Sequence, residues 1–180
     1  AGYGASTQGR GTDTFARPDL GYNEVTPGIA NNLEEALGKV EGVYRTQIIK
    51  LFWDTLGICS FGAVGIPGSV CLTSTSVAQA TGWEGFDEEE AFIVGERISN
   101  LLRLVYVRRG FKKSDEFDVS PRFLEITRTG GAEDKGIAPY LPPMVDEYYR
   151  LQGWGVDTGA PTPETLMRLG MEEFLEDVMV

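Results

Sequence analysis

Histidine is absent from all 180 residues. That excludes, for this chain acting alone, a Ser–His–Asp triad, an imidazole general base and a histidine-ligated zinc site. Cysteine is nearly absent: Cys59 and Cys71 are the only two. They are too few for a disulfide scaffold, they form no C-x-x-C, and a bridge between them would be non-native. Long apolar runs are also missing. The longest candidates are broken by Arg45, Lys50 and Asp54, well short of the roughly 20 residues a membrane helix needs. The Gly-rich, polar first twenty residues show no signal-peptide pattern. Positive charge is scarce, with 16 basic against 27 acidic residues and a net charge of −11. A field of that sign repels nucleic acid and anionic lipid. The expectation is a cytoplasmic protein with no nucleic-acid or membrane partner. Its acidity serves solubility and permits docking to a small basic partner without specifying one.

Enough apolar material remains for a core. Hydrophobic residues make up 42% of the chain, and its length suits one domain. The chain opens on Ala1 instead of Met, and the expectation is a piece of a longer protein. Residues 1–30 are rich in glycine, with Pro18 and Pro27, and read as a loop segment packed poorly unless something else covers it.

Apolar spacing predicts helices near 31–38, 43–57, 70–81, 88–109, 143–152, 163–169 and 171–179. In the second, Val43, Tyr44, Ile48, Leu51, Phe52 and Leu56 form the stripe, widened by Ile49 and Trp53. Gly57 stands where a left-handed residue closes a helix. In the fourth, Asp87 is the N-cap with Glu90 at the capping-box position. Glu88, Glu89 and Glu90 suit the dipole, and Phe92, Ile93, Ile98, Leu101, Leu102 and Val105 supply the apolar face. Residues 112–142 read as irregular. Without a convincing alternating pattern or an internal repeat, the fold class is mainly α, an irregular helical domain with long loops over 1–180.

Asp54-Thr55-Leu56-Gly57-Ile58-Cys59 is the informative segment. A carboxylate in the last turn of an apolar helix is partly desolvated and needs donors. Gly57 reverses the chain, and a thiol follows two residues on. Taken alone, D-x-x-G-x-C reads as a helix end with a buried structural cysteine, because short motifs match often by chance. Gly9, Arg10 and Gly11 make no phosphate loop, since no strand precedes them and no Gly-Lys-Ser/Thr follows. Cys71 reads as a buried structural thiol, and Trp83 and Trp154 as core aromatics. Arg97, Arg103, Arg108 and Asp115 are candidates for buried or interface ion pairs.

The surrounding blocks carry a resemblance. D-T-L-G-I-C-S-F (54–61) resembles the D-x-x-G-L-C-x-F segment of the aldehyde:ferredoxin oxidoreductase family. T-G-W-E-G-F-D-E-E-E (81–90) and G-E-R-I-S-N-L-L-R-L-V-Y-V-R-R-G-F (95–111) are similar to that family's T-G-W-D and G-E-R-I-x-N-L-x-R-x-x-N-x-R-E-G-F. D-E-Y-Y-R-L-Q-G-W-G (146–155) and P-T-P-E-T-L-M-R-L-G-M-E (161–172) resemble its closing blocks. Five blocks in family order are far more specific than one motif, and the resemblance implies the C-terminal domain of a tungstopterin enzyme.

The resemblance implies a bis-pterin tungsten centre of the molybdopterin type beside a [4Fe–4S] cluster, and leaves tungsten versus molybdenum open. Three cluster cysteines would come from a C-x-x-C-x-x-x-C run upstream, and the fourth is implied at Cys59. Asp54 stands at the pterin-binding position, with Gly57 and Ile58 contributing backbone at the same turn. A thiolate suits iron–sulfur ligation, and a carboxylate suits the donor edge of an aminopterin. The implied partners are upstream domains of the same enzyme, ferredoxin as electron acceptor and a small aldehyde substrate, with a homodimer left open. The implied reaction is oxidation of an aldehyde to a carboxylic acid. Two readings stand beside it: a subunit of a tungstopterin aromatic acyl-thioester reductase, and a non-catalytic helical interaction module.

The chain departs from the family pattern at three places. Arg10-Gly11-Thr12-Asp13-Thr14 puts Thr14 where the family's R-G-x-x-H has histidine, with Asp13 beside it. Tyr106 and Arg109 replace the Asn and Glu of N-x-R-E-G. These bear on the reaction more than on cofactor binding. No single residue of the chain is assigned a catalytic role.

Overall fold

A computed structural model describes residues 16–17, 22–23, 32–59, 63, 66, 68–118 and 138–178. The Gly-rich start, including Arg10, Asp13 and Thr14, falls almost wholly outside the described residues, so the expectation of poor packing there falls outside them too. Two pairs of residues within it form a minimal antiparallel ribbon, β1 (Ala16–Arg17) with β2 (Tyr22–Asn23), in register Ala16↔Asn23. Among the described residues the remaining regular elements are helical: α1 (Leu33–Thr55), α2 (Ser69–Thr81), α3 (Glu88–Arg108), α4 (Leu141–Gln152) and α5 (Pro163–Arg168). Short 3-10 turns stand at Lys113–Phe117, Ala138–Tyr140 and Glu172–Asp177. The mainly α class holds.

The two helices expected over 31–38 and 43–57 are one. Asn32 caps it, its side-chain oxygen accepting from the Glu35 amide at 2.9 Å. The helix then runs through Gly38 and Gly42. Two glycines cost roughly 1 kcal/mol each in a helix interior. Burial of Ala36 and Val40 with Val43, Tyr44 and Ile48 against Met144, Val145, Tyr148 and Tyr149 of α4 offsets that cost. The segment expected as a last helix over 171–179 is a 3-10 turn instead.

The inner face of α3 also differs from expectation. Leu101 and Val105 lie on the exposed side at 44% and 41%. The buried positions are Ala91, Gly95, Glu96, Ser99, Asn100, Arg103 and Leu104. Gly95 decides this, because a Cβ there would stand 2.2 Å from the Ile48 carbonyl oxygen. The absent side chain lets α1 and α3 approach backbone to backbone. The polar groups drawn in behind it are all answered. Glu96 accepts from the Tyr44 hydroxyl at 2.9 Å and from both Arg168 guanidinium nitrogens at 2.9 Å. Asn100 accepts from the Trp154 indole at 2.9 Å, and Ser99 donates to Gln152 at 3.0 Å. Each satisfied group avoids the desolvation penalty of an orphan.

Arg103 is the largest of these side chains and is nearly as enclosed, at 1% exposure. Its guanidinium bonds Glu116 at 2.9 Å and the Gly159 carbonyl at 2.6 Å. It also lies 4.4 Å from the Trp154 ring centre, 4.9 Å from Tyr149 and 5.0 Å from Phe111. One side chain thereby fastens α3 to the 3-10 turn after it and to the 153–162 loop. Trp154 is a core aromatic, as expected.

Candidate functional site

The site is built at the C-terminal end of α1. The Gly57 amide donates to the Asp54 carbonyl at 3.2 Å, and the Ile58 amide reaches back to the Trp53 carbonyl at 3.0 Å. Gly57 takes φ +70. This pair of bonds with a left-handed glycine is the Schellman closure, which satisfies carbonyls the helix end would leave open. Ile58 then packs under the turn against Ile49, Phe52, Trp53, Ala63 and Ala91. With Ile58 turned inward, Cys59 comes out exposed, as a free thiol.

Asp54 stands on the last turn with its side chain about a quarter exposed (26%). The donor it needs comes from within the chain: Lys50 Nζ lies 3.1 Å from Oδ2 and 3.3 Å from Oδ1. The lysine side chain is only 9% exposed, so the pair is partly withdrawn from water, where attraction between opposite charges strengthens. The signal was present in the sequence, since residues four apart on a helix face one another. Lys50 is therefore the site residue that the motif comparison passed over.

Other sequence expectations are redistributed. Cys71, read as buried, is exposed. It lies on the side of α2 opposite Val70, Ser74 and Val77, which face the core. Trp83 is 61% exposed, its ring 6.0 Å from that of Phe86. Of the candidate ion pairs, Arg103 bonds Glu116, an acid the motif reading had not singled out. Arg108 forms a surface pair with Asp177. Arg97 lies 3.6 Å from Glu90 and donates to the Leu169 carbonyl at 2.7 Å. Asp115 caps the turn after α3, accepting from the Lys112 amide at 2.8 Å. At the departures after α3, the rings of Tyr106 and Phe111 lie 5.8 Å apart and Arg109 closes the helix.

The donor set fits part of a larger cofactor site. Cys59 offers one accessible thiol, the ligand type of an iron–sulfur cluster. Asp54 offers a carboxylate, the acceptor type that suits the donor edge of an amino-heterocycle. Among the described residues no three Cys, Asp or Glu side chains group as a metal site, and with two cysteines in all the chain can supply only a share of a four-cysteine cluster. Among the described residues no helix is long and apolar enough to cross a membrane.

Comparison with known proteins bears on this turn and on the helices behind it. The family described as aldehyde ferredoxin oxidoreductase, domains 2 and 3, matches residues 2–171. The tungsten-containing aldehyde ferredoxin oxidoreductase of Pyrococcus horikoshii is 35% identical over 137 residues, which is 76% of this chain and 22% of that protein. The enzymes of the same name from Thermococcus kodakarensis and Pyrococcus furiosus are each 31% identical over 76% of the chain. Among solved structures, the active-site complex of benzoyl coenzyme A reductase with 1,5-dienoyl-CoA has the same fold, with TM-score 0.62 and 23% identity over 83% of this chain and 22% of that one. The chain spans about a fifth of the length of the curated relatives it matches. It belongs to the aldehyde ferredoxin oxidoreductase family.

Proposed function

We propose that the chain is the C-terminal part of a cytoplasmic tungsten-pterin oxidoreductase that oxidises an aldehyde to a carboxylic acid and passes the electrons to ferredoxin. The observation that carries this is the end of α1, where a Schellman turn presents a free thiol beside a carboxylate fixed by a partly buried lysine. Cys59 would supply the fourth thiolate of a [4Fe–4S] cluster. Asp54 would accept hydrogen bonds from a pterin edge, with the Gly57–Ile58 backbone beneath it. When bound, the tungsten-pterin group and the cluster supply the two-electron redox chemistry. This chain's contribution is binding and orientation. Lys50 orients the Asp54 carboxylate, and the apolar cluster of Ile49, Phe52, Trp53 and Ile58 keeps the turn rigid and water away from its underside. The upstream domains that complete the site, and the treatment of 1–180 as one domain, belong to the same reading.

Thr14 favours a second reaction on the same architecture. With no histidine at that position, the imidazole that could handle a proton there is missing, and reduction of an aromatic acyl-thioester is kept as the alternative. Anaerobic assay of the full-length protein separates the two. Aldehyde-dependent ferredoxin reduction supports the first reading. Turnover of aryl-CoA thioesters without aldehyde oxidation replaces it with the second. Neither activity in metal-loaded protein would leave the helical module as a non-catalytic interaction domain.

A further inference from the structure

From Thr55 to Trp83 the chain carries no charged side chain, a run of 29 residues in a sequence that is 24% charged. The run holds Gly57, Ile58, Cys59 and the whole of α2. The outward positions of α2 are Cys71, Leu72, Thr75, Ser76, Gln79 and Ala80. Leu72 is 60% exposed, and Trp83, just past the helix, 61%. The other long helices turn charge to solvent, with Glu34, Glu41 and Arg45 on α1 and Glu88, Glu89 and Arg97 on α3. Several hydroxyls of α2 are already committed to its own backbone. Ser76 donates to the Leu72 carbonyl and Thr81 to the Val77 carbonyl, both at 2.7 Å. A face without charge, on which Ser76 is satisfied internally, leaves water at less cost than a charged one. An uncharged patch with large apolar side chains marks an interaction surface.

Continuity with the site says what covers it. The Trp53 indole donates to Thr73 Oγ1 at 3.3 Å, fastening α2 to the last turn of α1 one residue before Asp54. If Cys59 is one ligand of a shared cluster, the segment bearing the other ligands must arrive at this edge of the molecule. The relatives, of which the chain spans 22%, have ample chain to supply it. We propose that the uncharged outer face of α2, with Trp83, seats the cluster-bearing segment of the same enzyme through a matching uncharged, apolar surface. The proposal rests on the cluster reading above and adds the surface on which the two parts meet.

Cys71 is a built-in reporter, because it lies on that face. In the full-length holoenzyme, maleimide labelling of Cys71, followed by peptide mass analysis, should run at least about tenfold slower than labelling of a free peptide of the same sequence, as for a site that must open to react. Leu72→Glu should bring the rate back toward that of the peptide. Labelling at the peptide rate in the wild type, or protection that Leu72→Glu leaves untouched, would overturn the proposal. Protection lost on dilution to monomer would also overturn it, assigning the face to a second copy of the chain. Iron content of Cys59→Ser reports on the cluster reading alone. Iron kept with Cys71 protected is a failure of that reading, and iron lost with Cys71 freely labelled is a failure of the docking face.

Discussion

At the scale of single residues, the turn at the end of α1 depends on one conformation. Gly57 sits at φ +70, and nothing lies within 4 Å of where a Cβ would be. Gly57→Ala therefore meets no clash, only the cost of a left-handed backbone, about 1–2 kcal/mol for an L side chain. Urea denaturation should show a loss of that size. An unchanged midpoint would mean the turn relaxes without its Schellman bonds. Lys50 and Asp54 show what a motif leaves unsaid. A pattern names the carboxylate, while the group that holds it four residues earlier lies outside the pattern and is visible only as helical spacing.

At the scale of elements, polar side chains fasten the helices as much as apolar stripes do. Arg103 is the test case. Arg103→Met takes the guanidinium from Glu116, itself 1% exposed, leaving the Tyr149 hydroxyl as a neutral donor to it, and breaking such a pair from one side costs about 3–5 kcal/mol. Adding Glu116→Leu should recover much of the loss, because the uncompensated charge is then gone. A double variant no more stable than the single one would show that the ring stacking of Arg103, and not the ion pair, carries the energy.

The same elements show which features sequence makes legible. Asp87 and Gly57 were readable as helix ends because caps act locally, Asp87 through a side chain two or three residues from the amides it serves and Gly57 through its own backbone conformation. The inner face of α3 was not, because apolar periodicity points to Leu101 and Val105, whereas Gly95 and its contact with Ile48 decide which side turns in. Cys71 and Trp83 were misplaced for a related reason. An apolar side chain looks like core until the neighbouring helices show which face they leave open. The continuity of α1 through Gly38 and Gly42 likewise depends on α4, which lies about a hundred residues further along the chain.

At the scale of the whole molecule, the buried phenols link stability to alkaline pH. Burial raises the Tyr44 hydroxyl well above the ordinary phenol range, and Glu96 adds to the shift. Burial raises Tyr149 as well; Arg103 opposes that shift and Glu116 adds to it. A folded value above the unfolded one means the folded chain keeps a proton the unfolded chain gives up. This contribution is intact below about pH 10, the unfolded phenol value, and is lost as pH climbs toward the folded value. Between roughly pH 10.5 and 11.5, each such phenol steepens the fall in stability by about 1.4 kcal/mol per pH unit. Tyr44→Phe should flatten the slope by that amount. An unchanged slope would show that Tyr44 ionises in the folded chain as freely as in the unfolded one.

The central claim is that this family member contributes Cys59 to a cofactor shared with the rest of its enzyme. Iron content and low-temperature electron paramagnetic resonance of the full-length holoprotein test it most directly, comparing wild type with Cys59→Ser and Cys71→Ser. The change from thiol to hydroxyl scarcely alters volume, so circular dichroism should match in all three. The account predicts that Cys59→Ser loses or alters the reduced-cluster signal and falls in iron per chain, while Cys71→Ser keeps both. Cys59→Ser with wild-type iron and an unaltered signal would contradict it and reduce the turn at Gly57 to a helix terminus.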